Sequence, residues 1–211
     1  MVSNEIESYI GLNSSDEDPV LAALNRETHI KVLNPRMLSG HLQGKFLEII
    51  SKLVSPEYIL EIGTFTGYSA ICLAKGLREN GRLLTIDCND ELVSIQKKYI
   101  KQAGLENKIE LFAGNAFDIV PTLNYQFDLV FIDADKQSYT AFYNLIIEKV
   151  KPGGIILADN VLWNSKVVDE HSATDRDTLA IKEFNNTVRN DNRVEVVIIP
   201  LRDGISLIRK L

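Results

Sequence analysis

The sequence predicts an α/β fold: a mostly parallel sheet ending in a C-terminal antiparallel hairpin, with helices on both faces and an N-terminal helical extension. Three observations predict it. From Tyr58 onward, short apolar runs alternate with helix-like stretches. The first of those runs leads into a glycine-punctuated turn, Glu61-Ile62-Gly63-Thr64-Phe65-Thr66-Gly67, that opens a helix. The last two runs are separated only by Pro200-Leu201-Arg202-Asp203, too short a connection to join parallel neighbours.

Taken in order, residues 1–55 read as helices at 4–10, 18–31 and 40–53, the second started by Asp16 or Asp18 before Pro19. The loop at 32–40 between the last two can line an active site. Strands follow at 58–62, 82–87, 108–112, 127–132 and 153–158, with helices at 67–79, 90–103, 115–121 and 138–149. A polar loop at 163–175 leads to a helix at 175–190, and the hairpin runs through 193–199 and 204–209. The whole is expected to be one domain, with 1–55 an extension on a 56–211 core.

Composition narrows the function. At 45% hydrophobic and 25% charged residues the 211-residue chain is an ordinary globular one. A net charge of −6 offers no basic footprint for nucleic acid, which lowers an RNA substrate without excluding it. Cys72 and Cys88 have neither disulfide-framework nor zinc-ligand spacing. No signal peptide or membrane-spanning run is evident, so a cytoplasmic protein with reduced thiols and no membrane partner is expected.

The turn after the first strand is a ligand cradle. Its glycines, Gly63 and Gly67, do not follow the dinucleotide pattern G-x-G-x-x-G. Glu61 beside it would repel a pyrophosphate but can hold a cationic amino group. Asp87, ending the second strand, stands where α/β folds place a ribose-binding acid. A nucleoside carrying a positively charged amino acid describes S-adenosylmethionine. The plainer account is that parallel α/β proteins need a glycine after the first strand. A nicotinamide-dependent oxidoreductase is disfavoured by the glycine spacing and Glu61, and a catalytically silent protein that keeps the cofactor fold is a further alternative.

The fourth strand ends in Asp133-Ala134-Asp135-Lys136 and the fifth in Asp159-Asn160. On one edge of a parallel sheet Asp133, Asp159 and Asn160 converge near the cradle. Two carboxylates and an amide oxygen suit a hard divalent cation, magnesium first, with calcium or manganese also fitting. Capping of the following helix is the competing account of each residue alone. Lys136 can lower the pKa of a hydroxyl or take its proton, making Lys136 and Asp133 the candidate catalytic pair; a solvated surface lysine is the alternative. Trp163 either walls the substrate pocket or packs in the core. His29, His41 and His171 are scattered, and no catalytic role is assigned to them.

These motifs, with Met37-Leu38-Ser39, Gly44-Lys45-Phe46-Leu47, Asp159-Asn160-Val161-Leu162-Trp163 and Asp203-Gly204, make the chain resemble the cation-dependent class I O-methyltransferases of the caffeoyl-CoA and catechol type, over about residues 35–211. The resemblance implies a Rossmann-like, seven-stranded sheet and a homodimer. It implies that Ser39, Glu61, Gly63, Thr64, Ser69, Asp87, Ala116 and Asp135 surround S-adenosylmethionine, Asp133 being counted with them. It also implies that Asp133, Asp159 and Asn160 bind the metal, and that Lys136 matches the base of catechol-type members. The loop after Met37 and the segment between Phe112 and Phe127 depart from the plant pattern. The expected acceptor is a small hydroxylated aromatic with vicinal hydroxyls, which can chelate one cation. The alternative is a hydroxylated uridine in tRNA, as in some bacterial relatives.

Overall fold

The computed structural model of the chain describes residues 4–169 and 174–211. Among them run seven strands: β1 (Tyr58–Ile62), β2 (Arg82–Asp87), β3 (Ile109–Ala113), β4 (Phe127–Ile132), β5 (Val150–Asp159), β6 (Val194–Ile199) and β7 (Ile205–Lys210). They form one sheet in the order β3-β2-β1-β4-β5-β7-β6. Pairing is parallel from β3 through β5, and β7 lies antiparallel to both β5 and β6. The hairpin is therefore present, with its second strand inside the sheet and its first at the edge.

Side-chain alternation sends each central strand into two cores. Leu60 and Ile62 of β1, with Val130 and Ile132 of β4, pack against α7 (Tyr139–Ile146) and α8 (Arg176–Arg189) through Tyr143 and Phe184. Ile59 and Leu129 point the other way, onto Leu24 of α2 (Pro19–Lys31), Leu47 of α3 (Gly40–Val54), Ile71 of α4 (Tyr68–Ala74) and Tyr99 of α5 (Val93–Gln102). The remaining helices are α1 (Asn4–Leu12) and the short α6 (Ala116–Ile119). Burial on both faces makes the strand runs nearly continuous in apolar residues, which is why they were readable.

Helix starts follow local chemistry. The Asp18 carboxylate accepts from the Val20 N–H at 2.8 Å with Pro19 in the first turn, and the Asn115 side chain accepts from the Phe117 N–H at 2.9 Å. Asp18, rather than Asp16, is thus the cap of α2. Boundaries differ elsewhere. The helix expected at 67–79 ends at Ala74, and Gly76 just beyond it lies against the backbone of α3, where a Cβ would come within 2.3 Å of the Ser51 carbonyl carbon. Strand β5 starts at Val150, earlier than expected, through an irregularity in its pairing with β4 between Phe127 and Leu129. A 3-10 turn at Asp90–Leu92 precedes α5. His171 and part of the 163–175 loop lie outside the described residues. No helix among the described residues is long and apolar enough to cross a membrane.

Candidate active site

The carboxyl ends of the parallel strands open into a cavity of about 750 Å³, a size suited to a cofactor-like ligand. Its floor is the turn after β1. The Gly63 N–H donates to the Ile86 carbonyl and the Asp133 N–H to the Ile62 carbonyl, each at 2.9 Å, so the sheet ladder continues one residue past the strand. Gly63, Phe65 and Gly67 all have positive φ, of 104°, 48° and 92°. The chain thereby doubles back closely enough that a Cβ on Gly63 would sit 1.9 Å from the Asp133 carbonyl oxygen. Gly67 then caps α4 in the left-handed conformation.

Ser39, Gly63, Thr64, Ser69, Asp87, Ala116, Asp133 and Asp135 all line this cavity. Asp87 is already partly used: its Oδ2 accepts from the Phe65 N–H at 2.7 Å and its Oδ1 from the Asn89 N–H at 2.9 Å, so it braces the turn as well as facing the cavity. The Gln96 amide, which the sequence did not single out, donates to the Phe65 carbonyl at 2.7 Å from α5. Asp135 accepts from the Ser138 hydroxyl at 2.8 Å, bracing the 3-10 turn at Lys136–Ser138.

Glu61 differs from these in burial: it is 0% exposed, on β1 just before the turn. Its Oε2 accepts from the Thr85 hydroxyl, which is itself hydrogen-bonded to Thr64, while its Oε1 has no hydrogen-bond partner. Burial pushes its pKa up to about 8, against the opposing pull of the Ser69 and Thr85 hydroxyls. An unpartnered buried carboxylate oxygen costs about 1–3 kcal/mol, and a cationic group brought to this end of β1 would offset part of it.

A pH dependence follows. With its folded pKa above the ordinary 4.5, Glu61 binds its proton more tightly in the folded chain. Its contribution to stability is complete below about pH 4.5 and is lost as pH rises through about 8. The cofactor-free protein is expected to lose up to ~1.4 kcal/mol per pH unit from this group across that window. Glu61→Gln should flatten the decline in thermal-melting curves taken from about pH 5 to pH 8. Parallel wild-type and variant curves would refute the assignment.

The other half of the cavity is acidic. Asp159, Asn160, Asp133 and Lys136 line it together. Asp159 is 2% exposed. Burial and the neighbouring Asp133 charge raise its pKa far above the carboxylate range, while Gln43 and Lys136 act in the opposite direction. Its Oδ1 accepts from the Asn160 N–H at 2.8 Å and its Oδ2 from the Gln43 amide at 2.6 Å. The Lys136 ammonium lies 2.9 Å from Asp133 Oδ1 and donates to the Tyr139 hydroxyl at 2.7 Å. Tyr139 in turn donates to the Asp159 main-chain carbonyl at 3.0 Å. Lys136 is thus tied into the site rather than solvated, its side chain 10% exposed. Among the described residues no three His, Cys, Asp or Glu side chains cluster as a metal site; the oxygen set is two carboxylates and one amide. The charge it concentrates fits a hard cation.

The segment after β5 forms one rim of the cavity through Asn160 and Trp163, with Asn160, Trp163, Asn164 and Ser165 all at positive φ. Trp163 lines the cavity, with the Lys166 ammonium 5.9 Å from its ring. The hairpin turn holds this rim: the Leu162 N–H donates to the Asp203 carbonyl at 2.9 Å, the Asn164 N–H donates to the Asp203 carboxylate, and Gly204 abuts Leu162. Arg202 reaches the opposite side, donating to the carbonyls of Leu38 and Ser39 and, at 3.0 Å, to Gln43 Oε1. Gln43, Tyr139 and Arg202 were not read from the sequence. The one available signal was that Gln43 falls on the buried stripe of α3 with Gly44 and Leu47. His29 lies on α2, where its Nδ1 is 2.9 Å from the Asn25 carbonyl oxygen, and both cysteines are free, Cys72 buried and Cys88 exposed.

Comparison with known proteins agrees with this geometry. A family model described as O-methyltransferase matches residues 12–211. A catechol O-methyltransferase of Niastella koreensis is 34% identical over 216 residues, covering 98% of this chain and 96% of the relative. Caffeoyl-CoA O-methyltransferase 2 of Populus trichocarpa is 36% identical over 180 residues, covering 80% of this chain and 73% of its own. The O-methyltransferase TomG from Streptomyces achromogenes, solved in complex with S-adenosylmethionine, superposes with a TM-score of 0.90 at 28% identity, covering 98% of this chain and 96% of that one.

Proposed function

This chain belongs to the O-methyltransferase family and is an S-adenosylmethionine-dependent enzyme, and we propose that it methylates a hydroxyl of a catechol-like small molecule in a divalent-cation-dependent reaction. The observation that carries this reading is that Asp133, Asp159, Asn160 and Lys136 line the same cavity as the Gly63 turn. A methyl donor held by the turn and an acceptor hydroxyl held by the acidic half would then meet in one cavity.

In this reading Ser39, Glu61, Gly63, Thr64, Ser69, Asp87, Ala116, Asp133 and Asp135 would surround the cofactor. Asp133, Asp159 and Asn160 would hold the cation, magnesium in the first instance. When bound, it supplies a Lewis acid that favours ionisation of an acceptor hydroxyl. Lys136, fixed between Asp133 and Tyr139, stabilises the ionised oxygen as an ammonium, or takes its proton once it has itself released one. The acceptor oxygen then forms its bond to the methyl carbon as the carbon–sulfur bond breaks, leaving S-adenosylhomocysteine, and no side chain is covalently modified. Trp163 and the 38–39 loop keep water from the reacting oxygen. The chain is taken to act in the cytoplasm as a homodimer, with residues 1–55 and 56–211 forming one domain.

The test is S-adenosylhomocysteine production with 3,4-dihydroxylated phenolics. Turnover is expected to disappear in EDTA and to return with added magnesium. Undiminished turnover in EDTA would overturn the cation requirement. Cofactor binding without turnover on any phenolic would move the acceptor to hydroxyuridine-containing tRNA.

A further inference from the structure

We infer that Gln43 and Arg202 form a positioning pair that sets how Asp159 is presented to the cavity, an inference that rests on the cation-dependent reading above. Gln43 is completely buried on α3, 116 residues away in sequence from Asp159, yet its amide Nε2 lies 2.6 Å from Asp159 Oδ2. A side-chain amide offers an oxygen at one end and a nitrogen at the other, and only the nitrogen can donate to a carboxylate. Arg202 decides which end faces which way. Its guanidinium has donors only, and it stands 3.0 Å from Gln43 Oε1. The oxygen must face Arg202, so the nitrogen must face Asp159.

The same Arg202 nitrogen also donates to the Leu38 and Ser39 carbonyls. Ser39 begins α3 and lines the cavity. One side chain from the β6–β7 turn therefore locks both the loop over the cavity and the amide beneath it. With the other carboxylate oxygen held by the Asn160 N–H at 2.8 Å, Asp159 keeps one orientation despite its burial and the nearby charge of Asp133. Loss of either partner frees the carboxylate to rotate, or lets the amide turn its oxygen toward it.

The experiment is calorimetric titration of manganese into the S-adenosylhomocysteine-loaded protein, for wild type, Gln43→Met, Arg202→Met and the double variant. Each single variant is expected to weaken cation binding by roughly 10–100-fold, and Gln43→Met, which leaves the Arg202 contacts to the Leu38 and Ser39 carbonyls in place, should still bind S-adenosylhomocysteine within about threefold of wild type. In the Gln43→Met background, Arg202→Met should add less than about threefold, since both act through one contact. In turnover assays, the magnesium concentration for half-maximal rate should rise, with kcat largely recovered at saturating magnesium. Effects that multiply in the double variant, or singles with unchanged cation affinity, would overturn the inference. If Arg202→Met does not fold, Arg202→Gln replaces it, since a shorter, uncharged side chain loses the charge-assisted donation to Gln43 Oε1. A wild-type protein that binds no manganese would instead overturn the functional reading, and the inference with it.

Discussion

Asp159→Ala is expected to lower kcat/KM by at least ~10³-fold, about 4 kcal/mol of transition-state stabilisation, while S-adenosylhomocysteine still binds within about threefold of wild type. The separation follows from where Asp159 sits. It ends β5, on the acidic side of the cavity, whereas the glycine turn belongs to β1 and is held by ladder bonds to β2 and β4. Removing the carboxylate takes away one of the two acids proposed to hold the cation and leaves the Gln43 amide without its acceptor. Strand β5 keeps its backbone pairing with β4 and β7, so the sheet survives. Asp159→Asn provides the control for packing: it keeps the shape and an oxygen for Gln43 but removes the charge. Initial rates with saturating magnesium decide the matter. Retention of more than about a tenth of wild-type activity by either variant would remove Asp159 from the machinery.

Gly63→Ala is expected to abolish measurable cofactor binding and to destabilise the fold by roughly 2–5 kcal/mol, the sum of backbone strain and overpacking. At φ 104° the position disfavours any side chain. The added carbon would meet the Asp133 carbonyl oxygen at 1.9 Å and its carbon at 2.7 Å, and both are backbone atoms that cannot rotate aside. Relief requires β1 and β4 to part at their carboxyl ends, which displaces the turn and the Asp133 side chain together. Gly104→Ala is the matched control: it too has positive φ, 69°, but a Cβ there meets nothing within 4 Å. It should lose only the strain contribution, about 1 kcal/mol. Urea unfolding of the two variants, with S-adenosylhomocysteine titration of each, measures the difference. Equal losses in the two would show that the close approach at Gly63 carries no special weight.

Much of the architecture was legible because its causes are local. The runs at 58–62, 82–87 and 127–132 are apolar because both sheet faces are covered, and their boundaries agree with β1, β2 and β4. The short turn at 200–203 forced antiparallel pairing of the last two strands, which is found. Asp133, Asp159, Asn160 and Lys136 follow strand ends, and the topology of a parallel sheet is enough to bring such positions to one cavity.

Other features depend on contacts between distant segments. No local pattern says that β7 slots between β5 and β6, that Gly76 packs against Ser51, or that Glu61 is buried with one oxygen unpartnered. Neither Gln43 nor Arg202 was singled out by the sequence; only their meeting over Asp159 distinguishes them. By itself the sequence determined the strands, the glycine turn and the residues at the strand ends, because periodicity, turn length and backbone freedom act over a few residues. The tertiary structure decided the strand order and the partners of each carboxylate, because hydrogen bonds and burial join groups as much as 164 residues apart, and nothing within a local window encodes which of them will meet.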